Sequence, residues 1–281
     1  MTISVGSVQH YVQGQTWFDM TKYAQFGTNE RVSVNLTSSN LWLVDSSKLF
    51  LQNSYAPRIG FLNEGAGYQS PITITASGGT NGAATVFPNL SGYNSVMPNA
   101  TGPLWRGDWV QLSMMQAGTQ LNLSVTPNGV VQPNSRPLST DPSLNPVNRA
   151  NPNSPIFWVA YADPNQTLPL LILGYEDIAG SGSDNDFNDG LLVLDVGQQN
   201  FQNIFRTANL GQNSQVNLKT AKPVDVPFDI SPSIGVVAVL LLFARRFWKQ
   251  YGTPSKSEMQ VVREVIHSKD RLKDTIAHSE S

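Results

Sequence analysis

From Arg31 to Val196 the chain alternates short apolar runs with turn residues. Val32, Val34 and Leu36 alternate with polar neighbours, the two-residue period of a strand with one buried face. Further strand-length runs cover 48–52, 59–62, 72–75, 84–87, 109–114, 121–126, 156–162, 168–173 and 191–196, separated by Gly, Pro, Asn, Asp and Ser. Many short strands with this punctuation predict an all-β domain of the β-sandwich or jelly-roll type. Residues 127–155, rich in Pro and Asn, are expected to form a long loop. Beyond Gly197 the strand pattern fades into a looser segment that runs to Lys222.

The pattern then changes character. Pro223 to Pro232 carries three prolines and resists both helix and central strand, so it is expected to be a linker. Ile234 to Phe243 is almost wholly apolar and is closed by Arg245-Arg246. The uncharged stretch 230–244 is shorter than the roughly 20 residues of a membrane span, but Val226 to Phe228 and Phe247-Trp248 extend it to sufficient length. The prediction is a transmembrane helix over 234–251, with the arginines and Trp248 at the cytoplasmic interface; a buried core helix is the competing reading. In the tail, Val262, Val265, Leu272 and Ile276 fall on one seam of a polar amphipathic helix, solvated or pairing into an oligomer. The expected division is a lead-in over 1–30, a β domain over 31–222, a linker over 223–233, the membrane helix over 234–251 and the helical tail over 252–281. The basic residues place the tail in the cytoplasm and the β domain outside, although residues 1–18 lack the pattern of a signal peptide.

Composition narrows the chemistry. There is no cysteine, which removes disulfides, thiolate metal ligands and thiol catalysis. Residues 11–266 contain no histidine, so a histidine base or metal cluster is not expected in the β domain. A net charge of −2 without a basic stripe argues against nucleic acid as a partner. The charges are segregated. Between Arg149 and Arg206 there is no Lys or Arg, yet Asp163, Glu176, Asp177, Asp184, Asp186, Asp189 and Asp195 lie there.

Five of those acids fall in one stretch, Gly174 to Gly190, between two apolar runs. Asp184, Asp186, Asn188 and Asp189, with Glu176 and Asp177, supply the oxygen donors that a hard cation takes. Asp184, Asp186 and Asn188 have the first, third and fifth spacing of an EF-hand loop. Asp189 then occupies the glycine place and Asp195 the twelfth, so this is not an EF-hand. Asp and Asn also build turns without metal. Clustered carboxylates raise one another's pKa unless something positive intervenes, which favours Ca²⁺. Glu64, just before the two glycines in Asn63-Glu-Gly-Ala-Gly67, either joins the acidic loop in space or serves its own turn. Trp105 and Trp109 are read either as a sugar-stacking platform or as core aromatics.

Several segments carry a family likeness: Phe61 to Tyr68, Arg106 to Trp109, Ala117 to Asn122, Ser139 to Asn145, and Gly174-Tyr-Glu-Asp177 with Asp184 to Asp189. In this order, over roughly Val32 to Gly197, they resemble the bacterial domain of unknown function 4114, especially its cyanobacterial versions. Where Tyr175 stands the family usually has Phe. The resemblance implies a β-sandwich of secreted or surface proteins without established enzymatic activity. Val226 to Pro232, the apolar run and Arg245-Arg246 are similar to PEP-CTERM-like anchor segments. The expected function is therefore a membrane-anchored, non-enzymatic binding or structural module of the cell surface, held to the membrane through residues 230–248 and facing an envelope polysaccharide or protein. The alternative is a carbohydrate-binding module or a carboxylate-dependent glycoside hydrolase.

Overall fold

The computed structural model describes residues 2–11, 17–18, 23–27, 34, 40–93, 101–146, 155–163, 169–179 and 182–212, and among these described residues there are twelve strands and one α-helix. The strands are β1 (Trp42–Val44), β2 (Phe50–Leu51), β3 (Arg58–Asn63), β4 (Ile72–Gly78), β5 (Gly82–Phe87), β6 (Trp109–Gln111), β7 (Thr119–Val125), β8 (Leu138–Ser139), β9 (Trp158–Ala162), β10 (Leu170–Tyr175), β11 (Gly190–Asp195) and β12 (Asn209–Gly211). They form two antiparallel sheets. One has the order β12-β1-β9-β10-β11-β3-β6; the other runs β2-β7-β4-β5, with β8 also pairing to β7. The all-β expectation holds in the described region. Val32 and Leu36, the membrane helix and the tail lie outside the described residues, among which no helix is long and apolar enough to cross a membrane.

Burial explains which runs were visible. Every residue of β9, β10 and β11 is buried, as in a sheet centre covered on both faces, and these strands are continuous apolar runs. β7 alternates between buried and half-buried positions, and its sequence alternates accordingly. On one face of the larger sheet, Val159, Tyr161, Leu170, Ile172, Leu191 and Val193 pack with Phe18, Tyr23, Val34, Leu41 and Leu43. Each such side chain contributes about 1.5–3 kcal/mol when fully buried. Phe187, from the acidic loop, inserts into this same cluster.

Two expectations need correction. The stretch 127–155 is not an uninterrupted loop: it contains β8 and a 3₁₀ turn at Pro142–Leu144, capped by the Asp141 side chain. The first part of the segment after Gly197 is not irregular either. It forms α1 (Gln198–Ala208), which starts at Gly197, where φ is +79°. Phe201, Ile204, Phe205 and Ala208 recur at helical spacing and are buried. The Phe205 ring meets Trp42 of β1 edge-on, with 5.6 Å between centroids.

Asn200, on the first turn of α1, ties the helix to the loop after β2. Its amide nitrogen donates to the carbonyls of Asn53 (3.0 Å) and Val196 (2.9 Å), and its oxygen accepts the Asn53 N–H (2.8 Å). Asn200→Ala strands the partners of a buried amide. It is expected to lower unfolding stability by about 2 kcal/mol, measured by urea denaturation. Stability within experimental error of the parent would show that the clasp carries no energy.

Candidate metal centre

The acidic loop connects β10 to β11, which pair along their whole length with Tyr175 opposite Gly190. Strand pairing therefore fixes the two ends of the loop side by side. Glu176 and Asp177 leave one strand as Asp189 enters the other. The Asp177 N–H donates to Asp189 Oδ2 (2.7 Å), and the Glu176 N–H donates to the Phe157 carbonyl (2.9 Å). The adjoining strand β3 pairs with β11, with Asn63 opposite Leu191, so the chain beyond Asn63 runs alongside Asp189. There the Gly65 N–H reaches the Asp189 carbonyl (3.3 Å). Glu64 itself accepts the Gly92 N–H at Oε2 (3.0 Å).

Within the loop, Asn185 and Phe187 adopt positive φ, +57° and +58°, on either side of Asp186. Asn tolerates this region; a bulky residue such as Phe does so at a cost of about 1–3 kcal/mol. Burial of the Phe187 ring in the core cluster offsets that cost and pins the loop. The Asn188 N–H then closes onto Asp186 Oδ1 (3.1 Å).

The result is a cluster of buried carboxylates. Glu176, Asp184 and Asp186 each bring a carboxylate oxygen within 4.8 Å of the others; Glu176 and Asp186 are buried and Asp184 is exposed. Glu64, Asp177, Asn188 and Asp189 are also buried. Of the seven candidates, the structure gathers Glu176, Asp184 and Asp186 into a group that can hold a metal ion. Glu64, Asp177 and Asp189 form a second set against it, coupled through their charges. Asn188 lies beneath, completely buried and bound to Asp186.

Electrostatics show the strain of this arrangement. Burial, followed by the charges of Asp189, Asp184 and Asp186, pushes Glu176 up to about 9. The Ser183 hydroxyl offsets part of this, yet neither Ser183 Oγ nor Glu176 Oε2 closes a full hydrogen bond, although both atoms are buried. Burial, a shared hydrogen bond and charge contact with Asp189, and the charges of Glu176 and Glu64 push Asp177 up to about 9. Asp189 rises to about 7 through burial and the charges of Asp186 and Asp184, opposed by the Asp177 N–H. Arg58 does not relieve the cluster. Its Nε donates to Asp195 Oδ2 (2.8 Å), which also accepts the Tyr55 hydroxyl (2.9 Å). Asp195 ends β11 and Gly190 begins it, so this ion pair stands about 17 Å along the strand from the loop. Asp195, in the twelfth place from Asp184, is thereby committed elsewhere.

Sequence reasoning missed Tyr161, Tyr175 and Ser183. The Tyr161 hydroxyl is buried without a hydrogen-bond partner; burial, then the charge of Asp186, raises its pKa. Burial, then Asp177, Asp189 and Glu64, holds Tyr175 well above its ordinary value. On a strand both tyrosines look like core residues, and only the pairing brings them beneath the acids. The two tryptophans do not form one platform. Trp109 is half-buried with its ring edge-on to Trp17, whereas Trp105 is exposed and stacks on Tyr93.

No curated protein and no solved structure matches the chain. The resemblance noted from Phe61 onward is narrower by direct comparison, since Phe61 to Tyr68 and Arg106 to Trp109 fall outside the matched stretch. Residues 115–197, which include β7, β9 to β11 and the whole acidic loop, match the model of a family described as "Domain of unknown function (DUF4114)".

Proposed function

We propose that the chain is a non-enzymatic, Ca²⁺-stabilised binding or structural module, its two sheets stacked as a sandwich and its C-terminal segment 234–251 anchoring it in a membrane with the β domain on the cell surface. The observation that carries the metal reading is Glu176. Its Oε2 is buried without a hydrogen bond in a cluster whose other members are also carboxylates. A buried acceptor of this kind is costly unless a cation or proton satisfies it. Two oxygens on one Ca²⁺ can stand up to roughly 4.6–5.2 Å apart, twice the metal–oxygen distance, and the cluster lies within that reach. The all-oxygen donor set suits Ca²⁺, which accepts irregular geometry better than Mg²⁺. The burial of Glu176, Asp177, Asp186 and Asp189 favours a structural role over a glycoside hydrolase, whose paired carboxylates must reach a sugar.

Calorimetric titration of Ca²⁺ into the chelator-stripped full chain in detergent tests this. Saturable binding is expected at pH 8 and weaker binding at pH 6, because Glu176, Asp177 and Asp189 hold protons that the cation must displace. Glu176→Gln should abolish it. Absence of binding at pH 8, or equal binding by that variant, refutes the metal reading.

A further inference from the structure

We infer that the cleft beside the turn Trp105–Asp108 is a binding site for an acidic saccharide, separate from the acidic loop. The cleft has a volume of about 460 Å³ and is lined by His10, Tyr11, Trp105, Arg106 and Asp108. That volume lies within the roughly 300–1,000 Å³ of small-molecule sites. Its floor is prebuilt. The Asp108 N–H donates to the Trp105 carbonyl (2.9 Å) across the turn, and Gly107, at φ +96°, supplies the left-handed residue the turn needs. Asp108 is fully buried. Its carboxylate accepts the Trp105 N–H (2.9 Å) and the Tyr11 N–H (3.2 Å), and meets His10 Nδ1 at 3.1 Å. The N-terminal segment is fixed alongside, because Gln9 forms an antiparallel bridge with Trp109.

This frame displays an aromatic platform. Trp105 is 48% exposed and Tyr93 51%, and their rings stack at 4.2 Å and 20°. Tyr93 stacks on the indole of Trp105, which also lines the cleft. A sugar ring meets such a surface with its C–H face and leaves its hydroxyls for polar neighbours. The polar neighbours here favour an anion. Asp108 is fully buried and already accepts the Trp105 and Tyr11 N–H groups, so its carboxylate is not presented to the ligand. Arg106 is exposed at the turn tip, where its planar guanidinium suits a carboxylate. His10 has Nδ1 committed to Asp108, so Nε2 is the nitrogen left to face solvent, on a side chain 71% exposed. One Arg in the cleft lining, on a chain of net charge −2, suits a sugar carboxylate better than a nucleic acid backbone.

The test titrates the full chain, at one fixed Ca²⁺ concentration, with trigalacturonate, a neutral trisaccharide and a mononucleotide. Trigalacturonate should bind tightest. Trp105→Ala should weaken it by about tenfold or more. Arg106→Gln should remove the preference over the neutral trisaccharide and leave the affinity for that sugar unchanged. Both residues are exposed, so the melting midpoint should stay put, and Glu176→Gln should bind sugar like the parent, which separates this site from the metal reading. Failure to bind trigalacturonate, equal binding of acidic and neutral sugars by the parent, tighter binding of the mononucleotide, or indifference to Trp105→Ala each overturns the proposal.

Discussion

Saturating Ca²⁺ is expected to raise the thermal midpoint of the chelator-stripped chain by roughly 5–10 °C at pH 8. A cation present at a hundredfold excess over its Kd stabilises the folded state by about 2.7 kcal/mol, and for a β domain of this size each kcal/mol moves the midpoint by about 2–4 °C. The pH dependence separates this from a general salt effect. Glu176, Asp177 and Asp189 have ordinary values of 4.5, 3.8 and 3.8, raised in the fold to about 9, 9 and 7. Between those limits the folded state holds more protons than the unfolded one. Stability of the metal-free chain is therefore full below about pH 4 and declines as pH rises through 7 towards 9. A bound cation takes the place of those protons, so its increment should be small at pH 5 and large at pH 8. In the metal-free state Glu176→Gln replaces a buried carboxyl that must take up a proton to stay neutral at pH 8 with a neutral amide, and its midpoint at pH 8 should equal or exceed that of the parent. With Ca²⁺ the order should reverse. Scanning calorimetry reads all four conditions. A parent midpoint indifferent to Ca²⁺ at pH 8, or a cation response equal at pH 5 and pH 8, would show that the carboxylates are satisfied by protons alone.

The acids of the site were visible in the sequence because they break an apolar pattern. Asp184 to Asp189 stand between two strands that have no charge of either sign before Asp195. What gathers around them was less visible, since it depends on pairing register. Glu64 lies far from the loop in sequence and joins it because Asn63 stands opposite Leu191. Tyr161 belongs to the site because β9 pairs with β10, with Tyr161 opposite Ile172. Strands β9, β10 and β11 were legible for a different reason: burial on both faces selects apolar residues at every position. β1, three residues long, and α1 were not. α1 shows only one apolar stripe among Gln and Asn residues that favour turns in isolation, and its contact with the Trp42 ring supports it. Arg58 shows the limit of arguing charge from sequence. It is brought to the strand beside the loop, yet binds Asp195 at the opposite end of β11.

The second large effect concerns a residue with no charge. Gly174→Ala is expected to lower unfolding stability by about 3 kcal/mol, roughly 6–12 °C in midpoint, and to abolish the Ca²⁺ response. Gly174 is opposite Leu191 on β10, and a Cβ added there would run into the backbone carbonyl of Phe187. A backbone group cannot rotate aside as the end of a side chain does. The loop would have to lift, withdrawing the Phe187 ring from the core and moving Asp186 and Asn188 with it. Gly190, opposite Tyr175, is constrained differently: a Cβ there meets the tyrosine ring. Gly182→Ala is the control in the same loop, since the nearest atom to its added Cβ is Ile178 Cγ2 at 3.9 Å. It should melt and bind cation like the parent. If Gly174→Ala behaves like Gly182→Ala in both measurements, the Phe187 carbonyl does not lie over Gly174 and the carboxylates are not held by this packing. If it loses stability and retains the full Ca²⁺ shift, the cation site is independent of the Phe187 anchor, and the cost of its left-handed backbone serves the core rather than the metal.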